Sequence, residues 1–192
     1  MPGTVKKLVE QARKSIAATI GVEPDFTAET LPLADEYISR IVVKEPSKER
    51  TKLLMAVGCY FGEVVRRKLG ARWRIQGDSA STWRLEFTRC FLHFSPVGVA
   101  AEIMTGCESE EYDGTFETLD KYHEALHERL EQAPPLSEDE YFSLAGRFEI
   151  INLVADFLVG LAIKEGQEPK TYTKEDYESS AKRKIEAEKQ KT

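Results

Sequence analysis

Two short segments of alternating polarity, residues 71–76 and 82–87, constrain this chain more than any other feature. A period of two belongs to a strand with one buried face, because an α-helix cannot gather alternate residues on one side. In the first segment Ala71, Trp73 and Ile75 alternate with Arg72, Arg74 and Gln76. In the second Trp83, Leu85 and Phe87 alternate with Arg84 and Glu86. The link Gly77-Asp78-Ser79-Ala80-Ser81 has turn chemistry, so the two pair as an antiparallel hairpin over about 71–88. The tryptophans then cover a core, and Arg72, Arg74 and Arg84 share the outer face.

Helical patterns surround the hairpin. Residues 4–20 place Val5, Leu8, Val9, Ala12, Ile16 and Ile20 on one side. A second helix is expected from Thr27, as its cap, to about residue 43. A third is expected over 47–69, ended by Gly70. Gly58 and Gly62, one turn apart on that helix, leave room for another element to approach its backbone. Glu63 beside them reads as a structural acid paired with an arginine, and it is also a candidate binding residue together with Arg72, Arg74 and Arg84. A third strand is expected over 90–94, then a short apolar helix from Pro96 to Gly106. Further helices are expected over 115–132 and, opened by a Ser137/Glu140 capping box, over 137–164. The pattern predicts one mainly helical α+β domain over 1–164, built around a small antiparallel sheet. The charged tail 165–192, with Ile185 as its aliphatic residue, reads as an exposed or frayed helix.

Composition excludes several classes. With 192 residues, 41% hydrophobic and 31% charged, the chain is too apolar to be wholly disordered and long enough for one well-covered core. The N-terminus lacks the apolar stretch of a secretory signal. The longest nearly apolar run, 150–163, is broken by Asn152 and Asp156 and is too short to span a bilayer. Three cysteines without metal-ligand spacing suggest reduced thiols in a cytoplasmic protein, with Cys59 and Cys90 acting as small buried hydrophobes.

The 27 basic and 33 acidic residues give a net charge of −6, unevenly distributed. Residues 66–89 carry seven bases against two acids, whereas residues 105–140 carry twelve acids against two bases. The basic stretch offers Arg72, Arg74 and Arg84 as an anion or nucleic-acid binding face, although the acidic total argues against a nucleic-acid partner. The acidic stretch suits a basic protein partner.

Residues 123–127, His-Glu-Ala-Leu-His, match the HExxH pattern. On a helix this spacing sets two imidazoles on one face, where they can ligate zinc while the glutamate acts as general base on a bound water. The wheel groups His123 and His127 with Phe116, Leu119 and Leu130 toward the core. Glu149, on the following helix, is the candidate third ligand. The zinc-hydrolase reading therefore assigns His123, His127 and Glu149 to the metal and Glu124 to catalysis. The charged Glu128 and Arg129 that follow count against it.

The segments Asp25-Phe26-Thr27, Leu31 and Ala34-Asp35-Glu36-Tyr37-Ile38 resemble a family of uncharacterised bacterial proteins. So do Gly58-Cys59-Tyr60-Phe61-Gly62-Glu63-Val64-Val65-Arg66-Arg67 and Gly70-Ala71-Arg72-Trp73. In that family a Gly-x-Tyr-x-Gly-Glu-Val helix runs into a Trp-bearing strand, and a Pro-containing segment follows, here Phe94-Ser95-Pro96. The resemblance covers about residues 22–106. It implies a shared fold unit and a bacterial origin, and it transfers no catalytic residue. The leading functional expectation is a non-enzymatic cytoplasmic bacterial protein, of adaptor or immunity type, that binds another protein without a cofactor. Zinc hydrolysis and anion binding are the alternatives.

Overall fold

The computed structural model describes residues 1–41, 47–77, 79–107, 111–166, 168 and 170–189. The expected break at Pro46, the end of the second helix near residue 43, the turn residue Asp78 and the acids Glu108 and Glu110 lie outside them.

The elements run α1 (Gly3–Ile20), α2 (Leu31–Ile41), α3 (Ser47–Leu69), β1 (Ala71–Arg74), β2 (Arg84–Phe87), β3 (Leu92–Phe94), α4 (Pro96–Thr105), β4 (Glu117–Thr118), α5 (His123–Glu131), α6 (Glu138–Tyr141), α7 (Leu144–Lys164) and α8 (Lys174–Lys189). Short 3-10 turns precede α2, β2 and α5. The strands form one antiparallel sheet in the order β1-β2-β3-β4. The mainly helical α+β architecture is the one the alternating segments require.

The hairpin register sets Trp73 opposite Leu85 and Arg72 opposite Glu86. Leu85 and Phe87 are therefore buried against α3 and α4, while the Arg72/Glu86 row points to the other face. Helices α1 and α7 pack against α3, and α2 packs against α1 and α7, closing a core that includes Val5, Ile16, Leu31, Phe61, Val64 and Leu144.

Gly58 and Gly62 act as expected. A Cβ at Gly58 would stand 2.7 Å from the Val97 Cα, so the α4 backbone rests directly on α3. A Cβ at Gly62 would stand 2.5 Å from the Trp73 ring. Bare backbone at these two points lets α4 enter and the tryptophan lie flat. Gly70, at φ +74°, ends α3 in the left-handed region that only glycine adopts at low cost, so the chain turns directly into β1.

Four expectations change. Asp25 organises the entry to α2, where Thr27 was expected to cap: the Asp25 carboxylate accepts from the Thr27 amide at 3.0 Å and from the hydroxyls of Thr27 and Thr30. The stretch 115–132 is not one helix, because Glu117 and Thr118 extend the sheet beside Leu92 and His93 before α5 begins. Thr118 is buried there, and its hydroxyl donates to the Phe91 carbonyl at 2.7 Å. The stretch 137–164 is two helices. The Ser137/Glu140 capping box opens only the short α6, and Ser143 then caps α7 by accepting from the Gly146 amide at 2.9 Å. The tail is helical but not simply exposed. Tyr172 and Tyr177 are buried, forming with Phe91 a second apolar cluster on the outer side of the sheet.

Glycine positions give a paired test. Gly58→Ala should lower the unfolding free energy by about 1–3 kcal/mol, because neither backbone can yield to the new methyl. Gly160→Ala, on α7 with nothing within 4 Å of the new methyl, should raise it by about 0.5–1 kcal/mol through helix propensity. Urea denaturation of both variants decides; equal effects would mean that the α3–α4 contact is looser than described.

Candidate functional site

Residues of the α2 entry and of α3 meet in space. Phe26 adopts φ +67°, unusual for a bulky side chain, and its ring lies 5.4 Å from that of Tyr60. The Arg67 guanidinium sits 4.0 Å from the Phe26 ring centre. Glu63, fully buried, accepts from Arg66 Nε at 2.8 Å and from Arg67 Nε at 2.7 Å. Glu63 is thus the paired structural acid that the sequence suggested. Burial alone would push its carboxyl up, but hydrogen bonds from Arg66 and Arg67, with their charges, hold it below the usual carboxylate range.

The arginines of the sheet do not form an open face. Arg72 Nε pairs with the buried Glu86 at 3.2 Å, and its Nη1 donates to the Tyr172 carbonyl at 2.9 Å. Arg84 pairs with the same Glu86 at 3.1 Å, and Arg74 reaches Glu178 of α8 at 2.6 Å. The tail helix covers this face, anchored by Tyr177, which is 1% exposed and stacks on Phe91 at 4.4 Å. The Tyr177 hydroxyl lies 2.9 Å from the carbonyls of Phe87 and Leu92 and accepts from the Leu92 amide at 3.1 Å. Burial pushes this phenol well above its ordinary range, so it stays protonated. Five of the seven bases of residues 66–89 pair with Glu63, Glu86 or Glu178. The partner that neutralises Arg74 lies 104 residues away along the chain, a separation that leaves no local signal in the sequence.

The HExxH residues are placed differently from the helical wheel. The helix α5 starts only at His123 and buries Leu126, with Tyr122 buried just before it, while His123, Glu124 and His127 are exposed. His127 pairs with Glu131 at 3.2 Å along its own helix. Glu149 does not join them. No group of three His, Cys, Asp or Glu side chains suited to a metal ion occurs among the described residues. The buried thiols are poor nucleophiles: burial pushes Cys59 and Cys90 up to about 12.

The structure instead assembles an acidic arm beside a groove. Glu124, Glu128 and Glu131 recur at helical spacing on the exposed side of α5. The short α6 adds the exposed Glu138 and Asp139, with Leu136 just before it and Tyr141 at its end 44% and 41% exposed. The arm is held by contacts that the sequence does not announce. The buried Glu102 of α4 pairs with Arg147 of α7 and accepts from the Gly114 amide at 3.1 Å. The Arg147 guanidinium in turn packs 3.9 Å from the Tyr141 ring. Asp35 of α2 accepts from the amides of Leu144, at 2.7 Å, and Ala145, fixing the start of α7. Gly146 lets α6 fold back, since a Cβ there would overlap the Glu140 carbonyl.

No protein-family model matches the chain, and no curated protein or solved structure matches it significantly.

Two predictions follow from these pairs. Tyr177→Phe removes the acceptor of the buried Leu92 amide and should cost about 1–3 kcal/mol; Tyr177→Ala should in addition make α8 the first site of limited proteolysis. Unchanged cleavage in the alanine variant would show that α8 is held elsewhere. Because the folded Glu63 carboxyl titrates below its unfolded value, its stabilisation is complete above about pH 4.5 and is lost as pH falls through the folded value. Thermal unfolding of Glu63→Gln against wild type should therefore differ most near neutrality and converge in acid.

Proposed function

We propose that the chain is a non-enzymatic protein-binding protein of the bacterial cytoplasm, of adaptor or immunity type, and that its partner is basic. The acidic arm formed by α5 and α6 carries this reading. Like charges repeated along α5 lower the stability of that helix, yet among the described residues no lysine or arginine forms an ion pair with Glu124, Glu128 or Glu131, and Glu131 meets only His127 of its own helix. A fold that pairs its buried acids with arginines and leaves this strip open has a surface suited to a positively charged protein. Such a surface accelerates encounter and orients the partner. Leu136 and Tyr141 within the strip supply the apolar contacts that charge alone lacks.

The remaining features agree with this reading. The described residues contain no helix long and apolar enough to cross a membrane. The histidines of the HExxH point to solvent, and the basic sheet face is occupied by α8, so neither alternative draws support from its geometry. The test is capture of proteins from a bacterial lysate by the full chain and by the Glu124→Lys/Glu128→Lys/Glu131→Lys variant. The reading expects a basic protein retained by the wild type, lost by the variant, and released as salt rises toward about 0.5 M. The same proteins retained by both baits at every salt concentration would remove it.

A further inference from the structure

We propose that the groove between the α2 entry and the α6–α7 corner receives a lysine- or arginine-bearing segment of the partner protein. This rests on the protein-binding reading above and specifies its contact. The groove has a volume of about 440 Å³, within the range of about 300–1,000 Å³ typical of ligand sites. Its apolar lining includes Pro32, Leu136, Ala145 and Phe148. Three carboxylates line it as well: Glu29 from the turn before α2, Glu140 from α6 and Glu149 from α7.

The composition selects the occupant. Glu29, Glu140 and Glu149 do not converge as a metal site does, so the charge is spread along the groove. Glu140 is committed to the capping box with Ser137. Glu29 and Glu149 are exposed, and neither forms an ion pair among the described residues, although the Glu29 carboxylate already accepts from its own amide and the Thr27 hydroxyl and feels the charge of Lys68. A lysine or arginine side chain fits both parts, its aliphatic stem along Leu136 and Pro32 and its cationic head at the carboxylates. A purely apolar segment would remove Glu149 from water without compensation, and an anionic one would be repelled. The groove also adjoins the acidic arm through Leu136 and Glu140, so one basic chain can engage both. The zinc reading had placed Glu149 with two histidines; its neighbours are instead two other glutamates.

The test uses the full chain and a capped ten-residue peptide alternating lysine and leucine, with binding followed by fluorescence anisotropy. Glutamate-for-lysine peptide and spermine serve as controls. Wild type should bind the lysine peptide and not the glutamate peptide, with affinity falling as salt rises. Glu29→Lys/Glu149→Lys should weaken binding by tenfold or more, and Leu136→Ser should weaken it several-fold. These three side chains are exposed, so an unchanged thermal midpoint will confirm that each variant is folded. Binding that survives Glu29→Lys/Glu149→Lys but is lost on reversing Glu124, Glu128 and Glu131 overturns the groove and leaves the protein-binding reading standing. Spermine binding as tightly as the peptide, with no effect of Leu136→Ser, also overturns it, as plain attraction of cations. No binding of the lysine peptide to wild type overturns it while the lysate capture still decides the broader reading.

Discussion

A side chain at Gly58 would collide with the backbone of Val97, and that contact sets the distance between α3 and α4 on which the rest of the structure depends. Because α4 lies directly on α3, Pro96 and Trp73 both meet the bare backbone of Gly62. The hairpin is thereby pressed flat against the core. Its inner residues, Leu85 and Phe87, are buried on the helices, and its arginines must face away. On the other side of α4, Gly98 repeats the device: a Cβ there would overlap the Asp113 carbonyl, so the chain returns closely past it toward β4. Close packing of this kind gains dispersion contacts across many atoms and tolerates no added methyl.

The outward row of the sheet is then closed by the chain itself. Glu86 is buried between Arg72 and Arg84, and α8 adds Glu178 to Arg74. A buried carboxylate between two arginines is strongly destabilised when either partner is removed. The tail therefore does more than cover apolar surface, since it completes the neutralisation of a basic sheet. Tyr177 makes the docking specific, because its hydroxyl meets the main chain at the turn between β2 and β3 rather than another side chain. Among the described residues no lysine or arginine pairs with Glu124, Glu128 or Glu131 of the acidic arm, in contrast to the paired arginines of the sheet.

Local chemistry was legible wherever neighbours in sequence are also neighbours in space. The helix of residues 47–69, its terminal Gly70 and the antiparallel hairpin follow from periodicities of 3.6 and 2, although the strands are shorter than read, 71–74 and 84–87, and Glu86 on the outer row is buried. Glu63 pairs with arginines three and four positions away, within one helical turn. The stretch 115–132 misled because its acidic composition suits a helix while its first residues find a strand partner in β3. With 115–122 outside the helix, Phe116 and Leu119 no longer share a face with His123 and His127, and α5 docks through Leu126, which leaves both histidines exposed. Likewise Gly146 and Ser143 divide 137–164 only because α6 folds back against α7.

The sequence by itself determined the fold class, the place of the hairpin, the close-approach glycines and the separation of charge into a basic and an acidic half. These are properties of local periodicity, backbone freedom and composition. Only the tertiary structure decided which charges remain available. Arg74 and Glu178 are 104 residues apart, Glu102 and Arg147 are 45 apart, and Asp35 reaches the start of α7 across 109. Coulombic and hydrogen-bonding energies depend on distance through space, and no pattern along the chain encodes that distance. The basic half is consequently paired within the molecule, and the acidic half, together with the groove beside it, faces outward.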